Sequence, residues 1–147
     1  SIIMLIFVFS GNVNAELNDV KEFALTVEHY GNDCSGEKFD REIEISAKYI
    51  IGNSKIKLTK KRNGEILSIY VLTGANNDLC ASIVQLETYS FGIISNSSGY
   101  EFFTPKRSYF NQRITANSPS YNHKKEVINA AELMLKEFVI KWNESNQ

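Results

Sequence analysis

The chain has 147 residues, 43% of them hydrophobic and 22% charged. That composition supports one globular domain with a proper core and excludes intrinsic disorder. Sixteen Lys and Arg against 17 Asp and Glu leave a net charge of −1, so the molecule as a whole has no electrostatic pull toward nucleic acid.

The chain opens with eight consecutive apolar residues, Ile2 to Phe9. A membrane-spanning helix needs about 20, whereas the apolar segment of a signal peptide needs roughly 7–15. Ser10, Gly11 and Asn12 then break the run, and Val13-Asn14-Ala15 resembles a cleavage site. We therefore expect residues 1–15 to be a signal peptide truncated at its start, since no basic leader precedes the run. Residues 16–147 are then one exported domain, periplasmic or extracellular. The competing reading is a buried strand. The two cysteines, Cys34 and Cys80, fit an oxidising compartment, and a bridge between them is expected. Closing that loop stabilises by about 4 kcal/mol in the chain-entropy account. Two separate buried thiols are the alternative.

Leu17, Val20, Phe23, Ala24 and Val27 recur at helical spacing, with Asn18 as cap and Gly31 as stop, which predicts a helix over 18–30. A strand with Phe23, Leu25, Val27 and His29 on one face competes. Residues 31–38 read as a loop. From Glu42, alternation of Ile43, Ile45, Ala47 and Tyr49 with charged and polar neighbours predicts a half-buried strand. Asn63-Gly64 is the preferred pair for a two-residue hairpin. It predicts that 55–62 pairs with 65–73, placing Lys55, Lys57 and Lys61 on one face beside Tyr70. Residues 74–78 and 95–99 read as turns, with a strand over 79–94 between them. Residues 100–110 read as two short strands interrupted at Pro105, and 111–121 as loop. Residues 124–142 carry an apolar stripe of Val127, Ala131, Met134, Phe138 and Trp142, which predicts a long helix. Its apolar face is wide, suiting a deep core helix or self-association.

This order predicts an α+β single domain: an antiparallel sheet of about 4–6 strands with an N-terminal helix and a long C-terminal helix packed on it. Two surfaces stand out as candidate binding sites. One is the basic cluster Lys55, Lys57 and Lys61 with Tyr70. The other is the aromatic stretch holding Tyr100 and Phe102 beside Lys106 and Arg107. Basic and aromatic residues together suit a protein, an anionic glycan or an envelope surface as partner. Solvated lysines and ordinary core aromatics are the plainer alternatives. No sequence fingerprint for catalysis, a cofactor or a metal is present. The reading is therefore an exported small binding protein that docks onto or neutralises another macromolecule. The alternatives are a small secreted hydrolase using His29 or His123 with a carboxylate, or a structural subunit of an envelope assembly.

Overall fold

The computed structural model describes residues 17–31, 39–117 and 122–147, with Ile94 defined by its backbone alone. The expected signal peptide and the loop holding Cys34 lie outside the described residues. Seven elements follow in order: β1 (Glu22–Gly31), α1 (Asp40–Gly52), β2 (Lys57–Thr59), β3 (Ile66–Ala75), β4 (Cys80–Ser95), β5 (Glu101–Asn117) and α2 (His123–Ser145). They form an α+β domain with one five-stranded sheet in the order β2-β1-β3-β4-β5.

The sheet is mixed, not antiparallel throughout. β1 runs parallel to both its neighbours, with Phe23 opposite Leu58 of β2 and Leu25 opposite Leu67 of β3. β3, β4 and β5 are successively antiparallel. Parallel neighbours need a crossover of a dozen or more residues, and α1 supplies it between β1 and β2. Both helices pack on one face of the sheet. Phe23, Leu67, Ile69, Val71, Val84 and Leu86 of the strands meet Ile43, Ala47 and Ile51 of α1 and Val127, Met134, Leu135 and Phe138 of α2. The rings of Phe23 and Tyr109 both stand edge-on to Phe138, at 5.5 and 5.2 Å.

Several sequence expectations are corrected. The segment expected as the first helix is β1, the strand alternative. Its Phe23 and His29 are buried on the core face, with Leu25 and Val27 half-buried between them. The segment expected as a strand from Glu42 is α1. Burial there follows Ile43, Ala47 and Ile51, four residues apart, and leaves Ile45 and Tyr49 59% and 74% exposed. The Asn63-Gly64 hairpin does not form. Neither residue has the positive φ that its turn type requires, and β1 lies between β2 and β3, which residues 60–65 connect. Residues 111–117, expected as loop, complete β5. Pro105 is tolerated within it because β5 is an edge strand.

The C-terminal helix is as expected. Asn122 caps α2 by accepting from the Lys125 N–H at 3.2 Å. At the other end Asn146 holds the opposite terminus. Its side-chain oxygen accepts from the Asp19 N–H at 2.9 Å, and its amide donates to the Leu17 carbonyl at 3.0 Å. The Trp142 indole N–H donates to the Val20 carbonyl. Gly31 ends β1 at a φ of +98°, where a Cβ would lie 1.9 Å from the Thr73 carbonyl oxygen. Only glycine satisfies both constraints.

Candidate functional site

Alternation along the strands gives the sheet two unlike faces. The face away from the helices carries Thr26, Glu28 and Tyr30 of β1, Ser68, Tyr70 and Leu72 of β3, Ile83 and Gln85 of β4, and Gln112 and Ile114 of β5. Tyr30, Leu72 and Ile114 are exposed there. Tyr30 and Tyr70 lie against each other with ring centroids 5.2 Å apart. The Tyr30 hydroxyl donates to Glu28 at 2.8 Å, and that acceptor carboxylate raises the phenol's pKa.

At one end of this face, β4 and β5 outrun the rest of the sheet. β3 begins at Ile66, opposite Tyr89. Beyond that level, among the described residues, β4 pairs with β5 alone, from Ser90 opposite Lys106 to Ser95 opposite Glu101. The result is a two-stranded arm roughly 20 Å long, set off by a register shift at Thr88/Tyr89 that locally bends the ladder. Phe91, Ile93 and Phe103 project from one face of the arm, all exposed, with Phe103 at 79%. Tyr89 stands edge-on to Phe91 at 5.6 Å. Phe102 projects from the opposite face, and Tyr100 sits in the turn; both are exposed. Contiguous exposed apolar residues of this kind mark interaction surfaces.

The residues singled out from sequence do not form one site. Lys55, Lys57 and Lys61 are exposed beside or on β2, at the sheet edge opposite the arm. Tyr70 is half-buried on β3, separated from β2 by β1, so the expected juxtaposition of those lysines with Tyr70 is absent. Tyr100, Phe102, Lys106 and Arg107 all fall on the arm or at its base. Arg107 is engaged there: its Nε donates to Glu87 at 2.8 Å and its guanidinium lies 4.6 Å over the Phe110 ring. Phe103 belongs to the aromatic stretch that the sequence marked as a contact surface; Phe91 and Ile93 are the arm residues that sequence reasoning left out.

A second cluster is buried at the other end of the strands. His29 Nε2 lies 2.9 Å from Thr73 Oγ1, Thr73 Oγ1 lies 2.7 Å from Ser82 Oγ, and Ser82 Oγ lies 2.8 Å from His123 Nε2. All four residues are buried. The sequence reading treated the two histidines separately; the fold joins them through two hydroxyls. Three hydrogen bonds need three protons, and the hydroxyls bring two, so one imidazole must donate the third. His123 Nδ1 faces the Asn117 amide oxygen at 2.8 Å. If His123 is neutral with its proton on Nδ1, facing Asn117, then Nε2 accepts from Ser82. In that tautomer His29 donates to Thr73, Thr73 to Ser82, and Ser82 to His123. The His29 ring also stacks on Phe39, with centroids 4.1 Å apart. Ser82, His123 and Asn117 thus share the polarity of a nucleophile, its base and an orienting group. Ser82, however, is 1% exposed on the helix-covered face of the sheet.

Cys80 begins β4 beside this cluster, opposite Asn117. It is fully buried and is not a free thiol. Its expected partner, Cys34, lies outside the described residues. Among the described residues no group of three His, Cys, Asp or Glu side chains is arranged to hold a metal ion, and no helix is long and apolar enough to cross a membrane. Lys124 donates to Glu42 at 2.7 Å and, with the Glu42 backbone, holds that carboxyl below its ordinary pKa. This pair ties the first turn of α2 to α1.

No protein-family model matches the chain, and no curated protein matches it significantly. Among solved structures, the chain is similar to a crystal structure of a minor lipoprotein from Acinetobacter baumannii. The identity is 10%, the TM-score 0.37, and the match covers 87% of this chain and 92% of that one. A likeness this distant carries no argument about function.

Proposed function

We propose that this is an exported binding protein that docks onto another macromolecule in the periplasm or extracellular space, and that the β4–β5 arm is its contact surface. The observation that carries the reading is the exposed row Phe91, Ile93 and Phe103 on a ribbon that no third strand covers among the described residues. Such apolar area in water is unfavourable by roughly 25 cal/mol per Å², and contact with a partner removes that cost. The apolar run at Ile2–Phe9, ending near Ala15, supports export. The test is co-sedimentation of residues 16–147 with an envelope fraction of the native host. A Phe91→Ser/Phe103→Ser variant should keep its melting temperature and lose most of the bound fraction. Equal binding by variant and parent would remove the arm from the contact surface.

A second reading is favoured by the 2.8 Å contacts of His123 with Ser82 and Asn117. It is hydrolysis through a Ser82 nucleophile. The burial of Ser82 places this reading second, because a substrate carbonyl must reach the hydroxyl. Covalent labelling of the native protein by a serine-reactive fluorophosphonate, lost in Ser82→Ala, would promote it to first.

A further inference from the structure

We infer that the occupant of the arm is the interfacial zone of a phospholipid bilayer. This rests on the docking role proposed above and names its partner. The first argument is the distribution of apolar side chains. Phe91, Ile93 and Phe103 lie on one face of the ribbon, Phe102 lies on the other, and Tyr100 sits in the turn, all of them exposed. A flat protein surface covers one face of a ribbon and leaves the other wet. A bilayer interface surrounds an inserted ribbon and takes up both faces together.

The second argument is area. One face of an arm roughly 20 Å long and about 10 Å wide offers on the order of 200 Å². A stable protein–protein interface buries about 800 Å² on each partner. Neither face of the arm reaches that, so a second copy of this chain seated on it alone would be held weakly. Interfacial adsorption has no such threshold, because it scales with whatever apolar area enters. Tyr, like Tyr100, favours the membrane–water boundary, and Phe is among the side chains that interfacial segments bury there.

The third argument limits depth. Among the described residues, both outer edges of the arm carry strand backbone without a neighbouring strand. Unpaired N–H and C=O groups cost several kcal/mol each in hydrocarbon. The arm therefore stays among headgroups and upper acyl chains, about 5–10 Å deep, and does not span. The polar turn Asn96–Gly99 suits that depth. Its carbonyls and amides are partly internally bonded: Asn96 Oδ1 accepts from the N–H groups of Ser98 and Tyr100, each at 3.0 Å. Lys106 at the base of the Phe102 face is placed to meet lipid phosphates. Glu101, opposite Ser95 near the turn, opposes insertion and limits the affinity.

The experiment is flotation of residues 16–147 with protein-free vesicles of phosphatidylcholine and phosphatidylglycerol at 3:1. The parent should float with the vesicles, and Phe102→Ser/Phe103→Ser should reduce the floated fraction at least tenfold without shifting the melting temperature. A Phe103→Trp variant should show a blue-shifted emission on adding vesicles, against the constant signal of buried Trp142. The inference is overturned if the parent stays with the soluble fraction, if the double variant floats as well as the parent, or if the arm instead mediates a stable dimer without lipid. Envelope co-sedimentation separates the two levels. Arm-dependent binding to envelope fractions but none to protein-free vesicles keeps the docking role and removes the lipid. Arm-independent binding to the envelope removes both.

Discussion

Ser82 and His123 stand 41 residues apart in the chain and are joined by a 2.8 Å hydrogen bond inside the fold. The bond closes a chain of polar groups whose direction depends on the tautomer of His123 facing Asn117. With both rings neutral and His123 Nδ1 donating to Asn117, His123 is protonated at Nδ1 and His29 at Nε2. Two-dimensional ¹⁵N–¹H spectra of the imidazoles should show these opposite tautomers. The same tautomer on both rings would contradict the proton count.

Replacing Ser82 with Ala removes the link between Thr73 and His123 and leaves buried polar atoms on either side of it. The expected loss is about 1–3 kcal/mol, read by urea denaturation. A Thr73→Val/Ser82→Ala double variant should cost less than the sum of the singles, because the second change removes a group the first has already stranded. Additive losses would mean that the two hydroxyls act independently.

Gly31 and Gly64 should respond oppositely to alanine. At Gly31, positive φ and the Thr73 carbonyl both oppose a Cβ, so the loss should exceed about 3 kcal/mol or prevent folding. At Gly64 nothing lies within 4 Å and φ is not positive, so the change should stay within about 0.5 kcal/mol. A costly Gly64→Ala would restore the tight hairpin that the fold lacks.

Glu42 gives acid stability a defined origin. Its carboxyl has a lowered folded pKa, mainly through the hydrogen bond from Lys124, against an ordinary value of 4.5. The sign is that of a depressed acid: the contribution is complete above the unfolded pKa and is lost as pH falls through the folded one. Thermal melts should therefore show the parent losing stability relative to Glu42→Gln as pH drops below 4.5. Lys124 and Glu42 are 27% and 42% exposed, so solvent still screens the pair and the difference at neutral pH should be modest.

Cys34 and Cys80 are the chain's two cysteines, and we expect them to be bridged to each other. Oxidised residues 16–147 should then contain no titratable thiol after unfolding, and Cys34→Ser should lower stability by about 2–5 kcal/mol. Two thiols per chain would sink the bridge.

The parts of the fold legible in the sequence were those set by local physics. α2 shows a sustained 3.6-residue stripe from Val127 to Trp142, and the β3–β4 turn is marked by Asn76, whose side chain accepts from the N–H groups of Asp78 and Leu79. β1 and α1 were read in each other's place for a shared reason. Ile43 and Ala47 are four residues apart, a spacing that fits both a strand face and a helix face. Ile51 decides for the helix, and its burial depends on packing that no local window contains. β1 lies inside the sheet between two parallel neighbours, which blurs its alternation. Asn63-Gly64 gave a strong local hairpin signal, but pairing of β1 with strands on both sides overrode it. The arm was half legible. Tyr100 to Phe103 looked surplus to a core, yet Phe91 and Ile93 read as ordinary strand residues, because the sequence does not announce that β3 stops opposite Tyr89.

The clasp of Asn146 and Trp142 on residues 17–20 bears on when this chain can fold. β1 is an interior strand, yet the segment leading into it is fastened by the last turn of the last helix. The contact spans 127 residues between Asp19 and Asn146, and closures of such long range form late and slowly. A nascent chain still lacking residues 142–146 cannot make it. Until the last turn of α2 is in place, the segment leading into β1 is therefore unfastened.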